Sequence, residues 1–182
     1  VTGSARDHII DLPQIRETGR IQFSAITDLE NVMFDAIDRR LLAILQQDAT
    51  APIAELAERV GLSQTPCWKR VKRLQECGVI RRKVALLDAD ALDLSLTVFV
   101  AIRTSQHDPQ WLEVFAREAS ALPEVVEFYR MSGDVDYLLK VVVRDIRAYD
   151  TFYKRLIKTA PLSDVSSSFA MEQIKSTTAL PL

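Results

Sequence analysis

Two groups of side chains in this sequence have types and spacings suited to chemistry. The first is the run SQTPCWKRVKRLQECGVIRRK at residues 63–83. In it Lys69, Arg70, Lys72, Arg73, Arg81, Arg82 and Lys83 stand against one acid, Glu76. Cations this dense favour a polyanionic partner, yet a basic helix face is more often merely a solvated one, so charge alone does not decide. The second is SGDVDY at 132–137. Gly133 permits a tight turn there, and Asp134 and Asp136 bring two carboxylates to one rim. Such a rim can meet the ammonium of a small ligand, while Asp is also ordinary turn chemistry.

Catalysis is the weaker use of these groups. Paired carboxylates could do acid–base work, but no His, Lys or Cys nucleophile accompanies them in the motif. There is no phosphate-binding loop or dinucleotide fingerprint. His8 and His107 are isolated. Cys67 and Cys77 fall on one expected helix, roughly 15 Å apart at its rise per residue, too far for a disulfide. No catalytic residue, cofactor or metal is therefore expected, with Cys77 as a redox sensor a minor alternative. Reduced cysteines favour the cytoplasm. No apolar run approaches the ~20 residues of a membrane helix, and the first residues lack the pattern of a secretory signal.

The charge is unevenly placed around a net −2: residues 1–34 carry 3 basic and 5 acidic side chains, residues 35–83 carry 10 and 6, and residues 84–182 carry 10 and 14. A basic part that meets a polyanion and an acidic part with another task fit this split. Residues 1–33 show no sustained period and read as an N-terminal extension, with a short strand, a frayed helix or disorder all compatible.

The elements that must position the basic run come next. Ile37, Leu41, Leu42, Ile44 and Leu45 form a helical stripe, with Asp38, Arg39, Arg40 and Gln46 on its polar side. That helix is expected to end near residues 47–48. Thr50 is expected to cap a second helix, with Pro52 in its first turn and Ile53, Leu56, Ala57 and Val60 buried. Gly61 stops it, Leu62 plugs the turn, and Ser63 caps a third helix running to about Cys77. This is helix–turn–helix spacing. Cys67, Val71 and Leu74 face its core, leaving Thr65, Trp68, Lys69, Lys72, Arg73 and Glu76 on the open sides and Arg70 flanking. Trp68 could equally pack against its own domain or face outward.

Beyond Gly78 the sequence reads as a strand or extended linker over 79–88 and a turn over 89–95, then strand 96–104, helix 109–121, strand 125–131, strand 137–143, helix 146–159 and strand 165–174. The order β-α-β-β-α-β is the ferredoxin-like split unit: an antiparallel four-stranded sheet with both helices on one face. The first strand is apolar on both sides, so the open face calls for a second copy, and a homodimer is expected.

DAIDRRLLAILQQDA, IAELAERVGLSQTPCWKRVKRLQECGVI, SGDVDYLLKV and DVSSSFAMEQIKSTTALP, in this order from about Phe34 to Leu182, resemble the Lrp/AsnC, or feast/famine, family of transcriptional regulators. Within it, TPCWKRVKRL, KVALLD and SSFAMEQIK are most similar to the cysteine-responsive, DecR-type subgroup. The resemblance implies an α+β chain: a winged helix-turn-helix at 34–83, a linker at 84–94, and a ferredoxin-like ligand-binding and oligomerisation (RAM) domain at 95–182. It implies double-stranded DNA, met by Ser63, Gln64, Thr65, Trp68, Lys69, Arg70, Lys72 and Arg73. It also implies a small amino-acid effector, cysteine by subgroup, held at Met131, Gly133, Asp134, Asp136 and Tyr137 and at Ser168, Phe169 and Ala170. Dimers assembling to octamers in the cytoplasm of a bacterium or archaeon, associated with the nucleoid, complete the expectation. The alternative is a nucleoid-type DNA organiser whose second domain only oligomerises; a module acting on a protein partner is a third.

Overall fold

Three short helices open the described part of the chain: α1 (Ala36–Leu45), α2 (Ile53–Val60) and α3 (Gln64–Glu76). The computed structural model describes residues 34–105 and 108–182; the N-terminal extension and His107 lie outside the described residues. Asp35 starts α1 with a capping box, its side chain accepting from Asp38 N while the Asp38 side chain accepts from Asp35 N. Leu41, Leu45, Leu56, Ala57, Val60, Cys67, Val71 and Leu74 form the buried core of this bundle. Gly61 ends α2 at φ 75°, a left-handed conformation that disfavours a side chain and lets the chain turn directly into α3. Leu62 packs partly buried against the core, as its place in the turn predicts.

Two local expectations give way here. Thr50 does not cap α2. Asp48 Oδ1 accepts from both the Thr50 amide and its hydroxyl, closing a turn of its own, and Pro52 occupies the N-cap. Asp38, placed by period on the polar side of α1, is buried at 1% exposure, because two cations of α3 reach it.

After α3 a turn at 77–80 packs Ile80 partly buried against the head core. Residues 81–88 are exposed and form no strand, so the strand reading of 79–88 gives way to a linker, and a 3-10 turn follows at Asp90–Leu92. β1 (Leu96–Arg103), α4 (Pro109–Ser120), β2 (Val125–Arg130), β3 (Tyr137–Val143), α5 (Ile146–Thr159) and β4 (Asp164–Phe169) follow. The sheet is antiparallel in the order β2-β3-β1-β4. Val98, Val100 and Ile102 of β1, with Leu139 and Val141 of β3, pack against Phe115 and Ala119 of α4 and Tyr149, Phe152 and Leu156 of α5. Ile157, expected on the apolar side of α5, is instead exposed.

The opposite sheet face carries the alternate residues. Cross-strand partners on it are Phe99 with Lys140, Ala101 with Leu138, and Phe99 with Ser168. Phe99 is 39% exposed, and Lys140 Nζ meets Glu127 Oε1 at 3.1 Å. A face with Phe, Leu and Val positions and no helix of the described residues packed over it is the surface the sequence expectation of a second copy concerns.

The last strand stops five residues short of the expected Ile174. Ala170 N donates to Thr97 O, at the start of β1, and beyond that point β1 offers no further backbone to pair with. The remaining chain is extended. It returns to the first helix, where Gln46 Nε2 donates to Leu180 O at 2.9 Å and Leu180 N donates to Gln46 Oε1 at 2.8 Å.

Candidate DNA and effector sites

The outward side of α3 carries Gln64, Thr65, Trp68, Lys69 and Lys72, all exposed, with Ser63 as the N-cap residue. Trp68, which the sequence left open, is 49% exposed and contributes no ring to the buried core. Lys72 Nζ lies 5.2 Å from its ring centroid, a cation–π arrangement, and also 3.6 Å from Glu76 Oε1. An exposed indole with a lysine over its face offers a flat apolar surface beside a positive charge.

Arg70 and Arg73 are placed differently. Arg70 Nη1 donates to Asp35 Oδ2 at 2.7 Å and to Asp38 Oδ1 at 2.9 Å, and Arg73 Nη2 donates to Asp38 Oδ2. Neither contact was read from the sequence. The hydrogen bond from the Asp38 amide and then the Arg70 guanidinium hold the Asp35 carboxyl below the usual carboxylate range. Reciprocally, the hydrogen bonds from Arg70 to Asp35 and Asp38 raise the guanidinium further above its ordinary value. Arg81, Arg82 and Lys83 follow the helix on the exposed extended segment.

The carboxylate turn closes the β2–β3 hairpin. Met131 N donates to Asp136 O at 2.8 Å, and Gly133 sits at φ 114°, a conformation that favours glycine. Asp136 N donates to Ile102 O, and Asp136 Oδ2 accepts from Thr104 N at 2.8 Å. Arg103 Nε donates to the carbonyl of Asp134. These bonds seat the turn on the end of β1. Beneath it Tyr137 is buried among Trp111, Phe115 and Phe128, with ring centroids 5.5–6.1 Å away, and burial pushes its phenol up. Tyr137 is thus a support beneath the turn, while Met131, Gly133 and Asp134 are exposed.

Ser168, Phe169 and Ala170 lie at the other end of β1. Ser168 pairs with Phe99 and Phe169 with Val98, whereas the turn touches Ile102 and Thr104. Five residues of strand from Thr97 to Ile102 span about 17 Å at ~3.4 Å per residue. The two groups also flank β1 on opposite edges. One chain therefore does not bring the two halves of the expected effector site together. Within their own half, Ser168 is on the open sheet face, while Phe169 turns to the helix side and meets Tyr149 edge-on at 5.3 Å. Among the described residues no group of three or more His, Cys, Asp or Glu is placed to hold a metal, and no helix is long and apolar enough to cross a membrane.

A three-helix head with a basic, outward third helix, joined to a ferredoxin-like sheet with an acidic turn, is the plan of a DNA-binding regulator with a ligand-responsive domain. Residues 34–75 match the AsnC-type helix-turn-helix domain, and residues 97–180 match the Lrp/AsnC ligand binding domain. An Escherichia coli K12 protein described as the DNA-binding transcriptional activator DecR is 54% identical over 151 residues, covering 82% of this chain and 99% of that protein. The crystal structure of an AsnC family transcriptional regulator from Agrobacterium tumefaciens is 60% identical, with a TM-score of 0.79 over 81% of this chain and 97% of that one. A Neisseria meningitidis transcriptional regulator solved in complex with L-Met is 33% identical, with a TM-score of 0.78 over 82% and 97% of the two chains. The chain belongs to the Lrp/AsnC family of transcriptional regulators. It is a DNA-binding regulator with an amino-acid-responsive domain, not an enzyme.

Proposed function

We propose that this chain is a sequence-specific regulator whose dimers set two helix–turn–helix heads on a pseudo-palindromic DNA site, and whose effector sits between the C-terminal domains of neighbouring copies. The observation that carries the shared site is the separation along β1. Along β1 the Asp136 turn lies about 10 Å from the level of Ser168 and about 17 Å from that of Ala170 at ~3.4 Å per residue step, and on the opposite edge of the strand, so a small amino acid contacts both only where two copies meet. A ligand at such a junction binds one arrangement of copies better than another, and thereby changes assembly or the spacing of the DNA heads.

The head spans 34–83, the linker 84–94 and the effector domain 95–182. In the head, Gln64, Thr65 and Trp68 approach base edges and sugars from the start of α3, while Lys69 and Lys72 meet phosphates. Arg70 and Arg73 hold the helix from its flank. In the effector domain Asp136 or Asp134 meets the ligand ammonium, and backbone amides of the turn meet its carboxylate. The open sheet face carrying Phe99 and Leu138 supports the homodimer. Dimers assemble further toward octamers in the cytoplasm, associated with the nucleoid. Cysteine is the first effector to test, on the similarity of TPCWKRVKRL, KVALLD and SSFAMEQIK to cysteine-responsive regulators; the L-Met complex of the Neisseria regulator makes methionine the natural comparison.

A melting-temperature screen against the amino acids tests this. A ligand at a hundred times its dissociation constant adds about 2.7 kcal/mol, a shift of several degrees for a chain of this size. A rise with cysteine is the expected result. A rise only with another amino acid overturns the cysteine assignment, and no rise with any amino acid overturns the effector site.

A further inference from the structure

Asp35, Asp38, Arg70 and Arg73 form one charged cluster between the start of α1 and the flank of α3. Asp38 is 1% exposed and both of its oxygens are engaged: Oδ1 by Arg70, Oδ2 by Arg73 and by the Asp35 amide at 3.2 Å. Arg70 and Arg73 are three apart on α3, so they share one face and reach the same carboxylate. Their outer sides remain open, at 29% and 46% side-chain exposure. Asp35, 49% exposed, holds Arg70 a second time. The carboxylates of the α1 N-cap residue and of Asp38 thus match two guanidinium groups on α3. A buried ion pair is often no more stabilising than an apolar contact of the same volume, so stability alone is a weak reason for this one.

We propose that Asp38, assisted by Asp35, is a positioning residue for DNA recognition. It fixes the rotation of α3 and withholds two of its four cations from the phosphate backbone. The inference rests on the DNA-binding reading of α3. Phosphate contacts supply the sequence-independent part of affinity, and each adds about 0.9 to the salt slope. A helix with four mobile cations would bind any duplex in several registers. With Arg70 and Arg73 clamped to α1, Lys69 and the exposed Lys72, paired only with the exposed Glu76 at 3.6 Å, are left to meet phosphates, while Gln64, Thr65 and Trp68 are held in one register. Sequence-independent binding falls and discrimination rises.

The test is fluorescence anisotropy of the full chain on two duplexes, a random sequence and a genomic fragment selected by the unaltered protein, each across a salt series. Asp38→Asn keeps the shape but lacks the charge to hold two guanidinium groups. The expected result is a steeper salt slope on random DNA, by ~0.9 per head for Arg73, which Asp38 alone holds, and by up to ~1.8 where Arg70 also leaves Asp35. Discrimination between the duplexes falls at least tenfold. A purely structural role predicts a different result: both affinities drop together with the slope unchanged, and that overturns the inference, as does no change in either. If circular dichroism shows Asp38→Asn unfolded, the half-exposed Asp35→Asn takes its place, with a steepening of up to ~0.9 for one partly released cation and the same opposing result. Lys69→Gln, on the outward side, flattens the slope and calibrates the scale. An unaltered protein that binds neither duplex at low salt instead overturns the DNA-binding reading itself.

Discussion

Replacing Asp136 with Ala is expected to abolish the thermal response to the amino-acid effector while leaving DNA affinity in its absence unchanged. The carboxylate sits on the turn seated against β1, and Oδ2 accepts from Thr104 N. Its position is therefore fixed before a ligand arrives, which is what makes a charge-assisted contact strong. Losing one partner of a hydrogen-bonded charge pair at an interface costs roughly 2–5 kcal/mol, or about thirtyfold or more in affinity. Asp136→Asn separates two contributions. The amide oxygen still accepts from Thr104 N, so the turn keeps its seat, but the charge is gone. Loss of the response in both variants assigns the effect to charge. Loss only in Asp136→Ala assigns it to the turn. A response that survives both substitutions means the effector binds elsewhere.

Phe115→Ala is expected to produce the largest loss of stability. Phe115 is fully buried on α4, with ring centroids 5.1 Å from Trp111, 5.6 Å from Phe128 and 5.5 Å from Tyr137. Deleting a buried Phe side chain costs about 3–5 kcal/mol through lost burial and the cavity left behind. A domain has only about 5–15 kcal/mol in all, so much of the margin disappears. Urea unfolding reads this directly: the midpoint falls while the slope is unchanged. Tyr137 leans on Phe115 from beneath the turn, so the effector response weakens at temperatures where the variant is still folded. A midpoint shift equivalent to less than about 1 kcal/mol would mean the cluster repacks around the gap.

The parts of the fold legible in the sequence were those set by local pattern. The periods of Leu56, Ala57 and Val60 and of Cys67, Val71 and Leu74 locate two helix faces, and Gly61 marks the turn between them. The alternation in β1 and β3 and the stripes of α4 and α5 give the split unit in order. What local pattern misses depends on distant partners. Asp38 looks solvated because its helical position is polar; its burial comes from Arg70 and Arg73, more than thirty residues on. β4 looks longer than it is because AMEQI could continue a strand, but β1 begins at Leu96 and pairing ends with Ala170. The two halves of the effector site are readable as motifs, yet only the register of β4 and of the turn on β1 reveals that they occupy opposite ends of the sheet. The period of Cys67, Val71 and Leu74 fills the core face of α3 but leaves open whether Trp68 packs elsewhere on its own domain; its 49% exposure, with Lys72 over the ring, is visible only in three dimensions.

The central claim is that α3 reads particular DNA sites under control of an amino acid bound between copies. DNA footprinting on fragments selected from genomic DNA, with and without the amino acid that raises the melting temperature, tests it most directly. The account predicts discrete protection of a pseudo-palindromic site, with an extent or affinity that changes when the amino acid is added. Uniform coverage indifferent to the amino acid would contradict it and identify a DNA organiser instead; no protection even at low salt would leave a module acting on a protein partner.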